Sequence, residues 1–190
     1  QLLELLKTRQ VVVISGRPGS GASSLVAAGI IPRVAAGALD DIASFSVLPL
    51  TWPSAAPLDI PAQEATGGSC GTGHSSVDIG ESTALFLVVD DIGELFAPGF
   101  DKHERENFMQ ALESFVVEPP ALNRLVLVSS TDFRDGIIDH SYPTTDWFTD
   151  QFLHNGYRLP PISHKGLREA ITLPAQKVGL RFEEGLIDDL

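Results

Sequence analysis

The chain has 190 residues, of which 43% are hydrophobic and 20% charged, and its formal net charge is −12. That is enough apolar material for one folded domain with the start of a second, and too little charge for an intrinsically disordered protein. No lysine or arginine lies between Arg33 and Lys102, while acidic residues recur from Asp40 to Asp101; nucleic acid is excluded as a partner, because phosphate-backbone binding needs clustered cations.

The opening LLELLKTRQ predicts a short amphipathic helix leading into VVVIS, a continuous β-branched run suited to a parallel strand buried on both faces. SSLVAAGIIPRVAAGAL follows with apolar residues at helical spacing, interrupted near Pro32, and ASFSVLPL predicts a second strand running into TWPSAAP. Residues 61–82 are rich in Gly, Ser and Thr without periodicity and predict a surface loop or disordered insert. Within it Cys70 and His74 are two lone ligand types, too few for a metal site. ALFLVVDD predicts a third strand ending in two carboxylates. KHERENFMQALESFV predicts a helix whose Phe108, Ala111, Leu112 and Phe115 form one stripe. RLVLVSS predicts a fourth strand, YRLPPIS a short fifth, and the remainder reads as helix, break, helix. Alternating strands and helices predict an α/β fold with an open, mostly parallel sheet and right-handed crossovers.

Cys70 is the only cysteine, so no internal disulfide can form and a reducing compartment is the simpler assumption. No apolar run reaches the ~18 residues of a membrane span, and no cationic segment precedes an apolar one in the manner of a signal peptide. The expected localisation is cytoplasmic, without a membrane partner. The chain begins at Gln1 and its single methionine is Met109, so it is expected to be a segment whose partners include other domains of a larger chain.

Chemistry concentrates at VVVISGRPGSGASSLVAAGI. The spacing follows the phosphate-binding pattern G-x-x-x-x-G-K-[ST] between a strand and a helix, with Gly16, Gly21 and Ser23 in place and Ala22 in the lysine slot. Such a loop works largely through backbone N–H groups turned inward, so Gly16, Arg17, Pro18, Gly19, Ser20, Gly21, Ala22, Ser23 and Ser24 are the candidate nucleotide-binding residues. Ser23 supplies a hydroxyl for Mg²⁺, with Ser24 as a spare. Asp90, at a strand end after such a loop, is the second candidate Mg²⁺ ligand, and Asp91 or Glu94 is the candidate for polarising an attacking water. The missing lysine normally bridges the β- and γ-phosphates, a charge-assisted contact worth roughly 1.5–3 kcal/mol. Arg17 is the one cation close by, either a substitute or an exposed loop residue.

Five blocks in order resemble the novel STAND NTPases, signal-transduction ATPases related to AAA+ and NACHT proteins. GRPGSGASSLVAAGIIP is similar to the family's G-x-S-G-S-G-K-S-S-L and the helix after it. WPSAAPL corresponds to R-P-G-x-x-P-L, DDIGELF to D-Q-F-E-E-L-F, and SSTDF to L-R-x-D-F. YRLPPIS together with AITLPAQKVGLRFEEGLIDDL resembles the family's closing segment. The resemblance implies a P-loop NTPase three-layer sandwich with a five-stranded parallel sheet in AAA-like order over residues 1–162. Residues 163–190 would begin a helical lid, with ATP or ADP bound between sheet and lid and exchange driving a switch toward oligomerisation. Three departures fall on working positions. Ala22 replaces the loop lysine, Gly93 replaces the first of two acidic residues while Glu94 keeps the second, and Ser130 takes the place of a strand-end arginine that senses the γ-phosphate. Arg134 lies four residues on, either as a replacement or as a solvent-facing side chain.

Three readings follow. The first is an ATP/ADP-binding switch with Mg²⁺ and weak or lost hydrolysis. The second is a competent ATPase using Arg17 or a partner's cation. The third is a nucleotide-free scaffold mediating homo-oligomerisation within a larger signalling protein. A small-molecule kinase is disfavoured, because no acceptor site or arginine-rich lid accompanies the loop.

Overall fold

A computed structural model describes residues 1–39, 86–117, 123–180 and 182. Two compact units result, Gln1–Leu159 and Pro160–Leu190. The first is built on four parallel strands: β1 (Val11–Gly16), β2 (Phe86–Val89), β3 (Arg124–Ser130) and β4 (Gly156–Arg158), in the order β2-β3-β1-β4. Four strands appear among the described residues where five were expected, and the expected second one, ASFSVLPL, lies outside them.

The pleat explains why the strands are apolar on both sides. Side chains alternate between faces, and the register aligns Val11 with Leu125 and Leu125 with Leu87. Val11, Val13, Leu87, Val89, Leu125 and Leu127 therefore share one face, while Val12, Ile14, Phe86, Val88, Val126 and Val128 share the other. The first face is covered by α4 (Lys102–Val117), α5 (Thr131–Ile138) and α6 (Asp146–His154). The second is covered by α1 (Leu2–Thr8) and by the helix that follows β1. Three layers result, helix on sheet on helix.

The helix after β1 begins with α2 (Ala22–Ser24), widens into an i→i+5 turn over Leu25–Ile30, and continues as α3 (Ile31–Ala35). The expected interruption near Pro32 is thus a widening rather than a break. Pro32 has no N–H and its ring crowds the carbonyl of Ala28, which disfavours an ordinary ladder just upstream. Val26, Ile30 and Val34, four residues apart, still face the core together.

α4 starts with a reciprocal capping box: the Asp101 N–H donates to Glu104 Oε2 at 2.8 Å, and the Glu104 N–H donates to Asp101 Oδ1 at 2.8 Å. Its buried stripe is Phe108, Met109, Leu112, Phe115 and Val116, with Ala111 only half-buried. β4 is shorter than YRLPPIS suggested. After the Leu159 N–H donates to the Ser15 carbonyl at 2.7 Å, Pro160 and Pro161 have no N–H to continue the ladder.

In the second unit α7 (His164–Lys177) runs through Pro174 and stops at Gly179, whose φ is +78°. There the Leu180 N–H reaches the Ala175 carbonyl at 2.9 Å and the Gly179 N–H reaches Gln176 at 3.1 Å. This is a Schellman stop, which calls for a residue free to turn left-handed. Any helix beyond it lies outside the described residues. Among the described residues no helix is long and apolar enough to cross a membrane.

Candidate functional site

In a parallel sheet the carboxyl ends of all strands point the same way, so β1, β2 and β3 deliver Gly16, Asp90 and Ser130 to one edge. From Gly16 the chain makes a tight turn, the Ser20 N–H donating to the Arg17 carbonyl at 2.9 Å. Gly19 and Gly21 both adopt left-handed backbone, φ +78° and +84°. A Cβ at either would meet open space, so these glycines serve backbone conformation, which alternates handedness in the manner that turns N–H groups into a nest. Gly16 serves space instead: a Cβ there would meet the Ser20 hydroxyl. Gly21 precedes the first helical turn, and the Leu25 N–H closes on its carbonyl at 2.8 Å. Arg17, Pro18, Ser23 and Ser24 are exposed, while Ser20 and Ala22 are half-buried.

The two residues expected to share Mg²⁺ meet. Ser23 Oγ donates to Asp90 Oδ1 at 2.9 Å, although 67 positions separate them in the chain. The Asp91 N–H donates to the same carboxylate oxygen at 3.0 Å. A hydroxyl and a carboxylate are hard oxygen donors, and Mg²⁺ takes one or two such protein ligands and keeps waters and phosphate oxygens for the rest. The donor set fits that ion. Among the described residues no three His, Cys, Asp or Glu side chains form a cage for a metal; Cys70 and His74 lie outside the described residues.

Of the two candidates for activating water, Glu94 sits on a 3₁₀ turn (Ile92–Phe96) that follows β2 and Asp91 immediately precedes that turn as its N-cap; both are exposed. Asp91 itself has φ +48°, a conformation that aspartate tolerates better than most residues. A Cβ at Gly93 would make ordinary contacts with Asp91 and the Phe133 ring, so space for a Cβ is not what places glycine there.

Ser130, where the resemblance places a sensing arginine, has a structural task. Its hydroxyl accepts from the Phe133 N–H at 3.1 Å and caps α5. Ser130→Ala is expected to lower the unfolding free energy by about 1 kcal/mol, read by urea denaturation; an unchanged midpoint would remove the cap from the account. Arg134 turns to Asp135, 3.0 Å away, and lies against Gly156. Arg158 approaches the same carboxylate at 3.5 Å.

Two hydroxyls escaped the sequence reading. Ser15 and Ser129 are register partners at the ends of β1 and β3, both buried, and neither Oγ has a hydrogen-bond partner among the described residues. The signal was a serine interrupting each apolar strand one residue before its end. A separate groove of about 270 Å³ beside α6, lined by Tyr142, Thr144, Asp146 and Asp150 among others, shares no residue with this edge.

Comparison with solved structures finds AMPPCP-bound DnaA from Aquifex aeolicus, with a TM-score of 0.49 and 12% identity. The match covers 98% of this chain and 52% of that one, so this chain spans about half the length of its structural neighbour. Comparison with curated proteins finds no match. The family Novel STAND NTPase 1 matches residues 1–190. A left-handed glycine loop between β1 and a helix, a serine–aspartate pair joining that helix to β2, and a family match over the full length together give one conclusion: the chain belongs to the novel STAND NTPase 1 family.

Proposed function

We propose that this chain is the nucleotide-binding switch of a signalling protein, taking ATP or ADP with Mg²⁺ and hydrolysing slowly or not at all. The observation that carries the reading is the 2.9 Å contact of Ser23 with Asp90 beside a glycine loop of nest-forming conformation. Backbone N–H groups of residues 16–23, except Pro18, which has none, would hold the phosphates, the positive end of the helical stretch from Ala22 would add to them, and Ser23 and Asp90 would hold the ion. When bound, Mg²⁺ supplies positive charge to the phosphate oxygens.

Weak turnover is the expected consequence of three residues. Ala22 offers no ammonium to follow charge into the transition state. Gly93 offers no carboxylate, leaving Asp91 and Glu94 to orient water. Ser130 is committed to capping α5. The unit Pro160–Leu190, with α7, would form the beginning of the lid.

Titration calorimetry with Mg-ATP and Mg-ADP on the folded protein is expected to show saturable binding in the micromolar range, abolished by Asp90→Ala. No heat at high micromolar nucleotide would refute the reading. A second reading, a nucleotide-free scaffold that drives self-association, is favoured by the cation-free interval from Val34 to Asp101, because a bare acidic edge repels phosphate. Self-association that is indifferent to nucleotide in analytical ultracentrifugation would select it.

A further inference from the structure

Resting on the nucleotide-binding reading above, we infer that this site takes nucleotide only together with a divalent cation, because the ion shared by Ser23 and Asp90 must supply the positive charge that Ala22 cannot. The argument is a census of charge at the carboxyl edge of the sheet. Asp90, Asp91 and Glu94 stand there as carboxylates. Arg17 is exposed, where water and salt screen it. Arg134 and Arg158 both turn to Asp135. Ala22 begins the helix at the position from which a lysine would reach the phosphates.

Among the described residues of this edge, what remains to attract a phosphate besides the exposed Arg17 is the set of backbone N–H groups, which carry partial charge only. A triphosphate without metal brings about four negative charges to this edge, and a bound divalent cation cancels roughly half of them. In a loop that keeps its lysine, a fixed cation still opposes those charges when the metal is withdrawn. Here withdrawal also leaves Asp90 uncompensated beside the phosphates. The missing charge-assisted contact corresponds to roughly ten- to a hundredfold in affinity, and repulsion by Asp90 acts in the same direction. Affinity is therefore expected to fall by about a hundredfold or more when Mg²⁺ is chelated.

The test is equilibrium binding of ATP by calorimetry, in magnesium chloride and in EDTA at matched ionic strength. It uses the wild-type chain, Ala22→Lys and Asp90→Asn, each checked for folding by circular dichroism. The wild type is expected to bind in Mg²⁺ and to lose about a hundredfold or more in EDTA. Ala22→Lys should recover metal-free binding to within about tenfold of its Mg²⁺ value. Asp90→Asn should weaken binding in Mg²⁺ yet strengthen it in EDTA, so that the ratio between the two conditions collapses; this variant carries the test if the lysine substitution fails to fold. Equal wild-type binding in both conditions overturns the inference and leaves the nucleotide-binding reading standing. Absence of binding in both overturns that reading and the inference with it. A wild-type ratio that neither substitution changes overturns the assignment to Ala22 and Asp90.

Discussion

Ala22→Lys is expected to tighten Mg-ATP binding by about ten- to a hundredfold, the affinity equivalent of one charge-assisted hydrogen bond at roughly 1.5–3 kcal/mol. Position 22 opens the helix immediately after Gly21, whose left-handed backbone at φ +84° ends the glycine loop. It is half-buried against the core cluster that holds Val12, Ile14 and Val26, so a lysine stem would find apolar surface to lie on while its ammonium reaches outward. A gain of this size, measured by calorimetry, would mean that the backbone cradle is preserved and that only its cation is missing. An unchanged affinity would mean that residue 22 does not face the phosphates. Hydrolysis should rise far less than affinity, because Gly93 still presents no carboxylate and Ser130 still caps α5. Binding and turnover would then separate in one variant.

The largest loss of stability is expected from Phe152→Ala, about 3–5 kcal/mol. Phe152 is fully buried, and its ring lies 5.1 Å from Phe148 and 5.8 Å from Phe133. Phe133 in turn contacts Phe96 and Tyr142 at 5.2 and 5.0 Å. Removing this ring opens a cavity beside Phe148 and Phe133, and Phe133 is itself held by Phe96 and Tyr142, so the site collapses poorly, which is where cavity costs are highest. In a domain of this size the midpoint of thermal unfolding should fall by roughly 2–4 °C for each kcal/mol. Differential scanning calorimetry measures it, and a drop of only a degree or two would show that this aromatic cluster is not the keystone of the face beneath α5 and α6. Phe96 belongs to the 3₁₀ turn that carries Glu94, so the same variant would also loosen the site.

The central strands were legible because burial on both faces leaves a simple mark. VVVI, FLVV and LVLV are apolar without alternation, and each lies in a strand of the sheet. The candidate site was legible for a different reason: glycine spacing specifies a backbone path, and Ser23 and Asp90 occupy the ends of elements whose order the alternation of strand and helix had already set. What could not be read has physical causes. α5 and α6 are short, eight and nine residues, and too few turns pass for a stripe to declare itself. Their start signals were present all the same, as Ser130 and Thr145, each accepting a backbone N–H three residues on. Pro160 and Pro161 could have shortened β4 on paper. The left-handed turn at Asp91 had no sequence mark, because nothing local demands it; the chain must leave β2 sharply to reach the 3₁₀ turn.

The order of the sheet also bears on how the protein is made. β1 lies between two neighbours that are synthesised much later, since Val11 pairs with Leu125 and Val13 with Gly156. At ordinary ribosomal speeds, the first apolar strand waits on the order of ten seconds before either partner exists. During that interval VVVI is an open strand edge of the kind that sticks to other chains. The fold therefore gives its earliest segment to the position completed last, and its yield in a cell rests on what shelters that segment in the meantime.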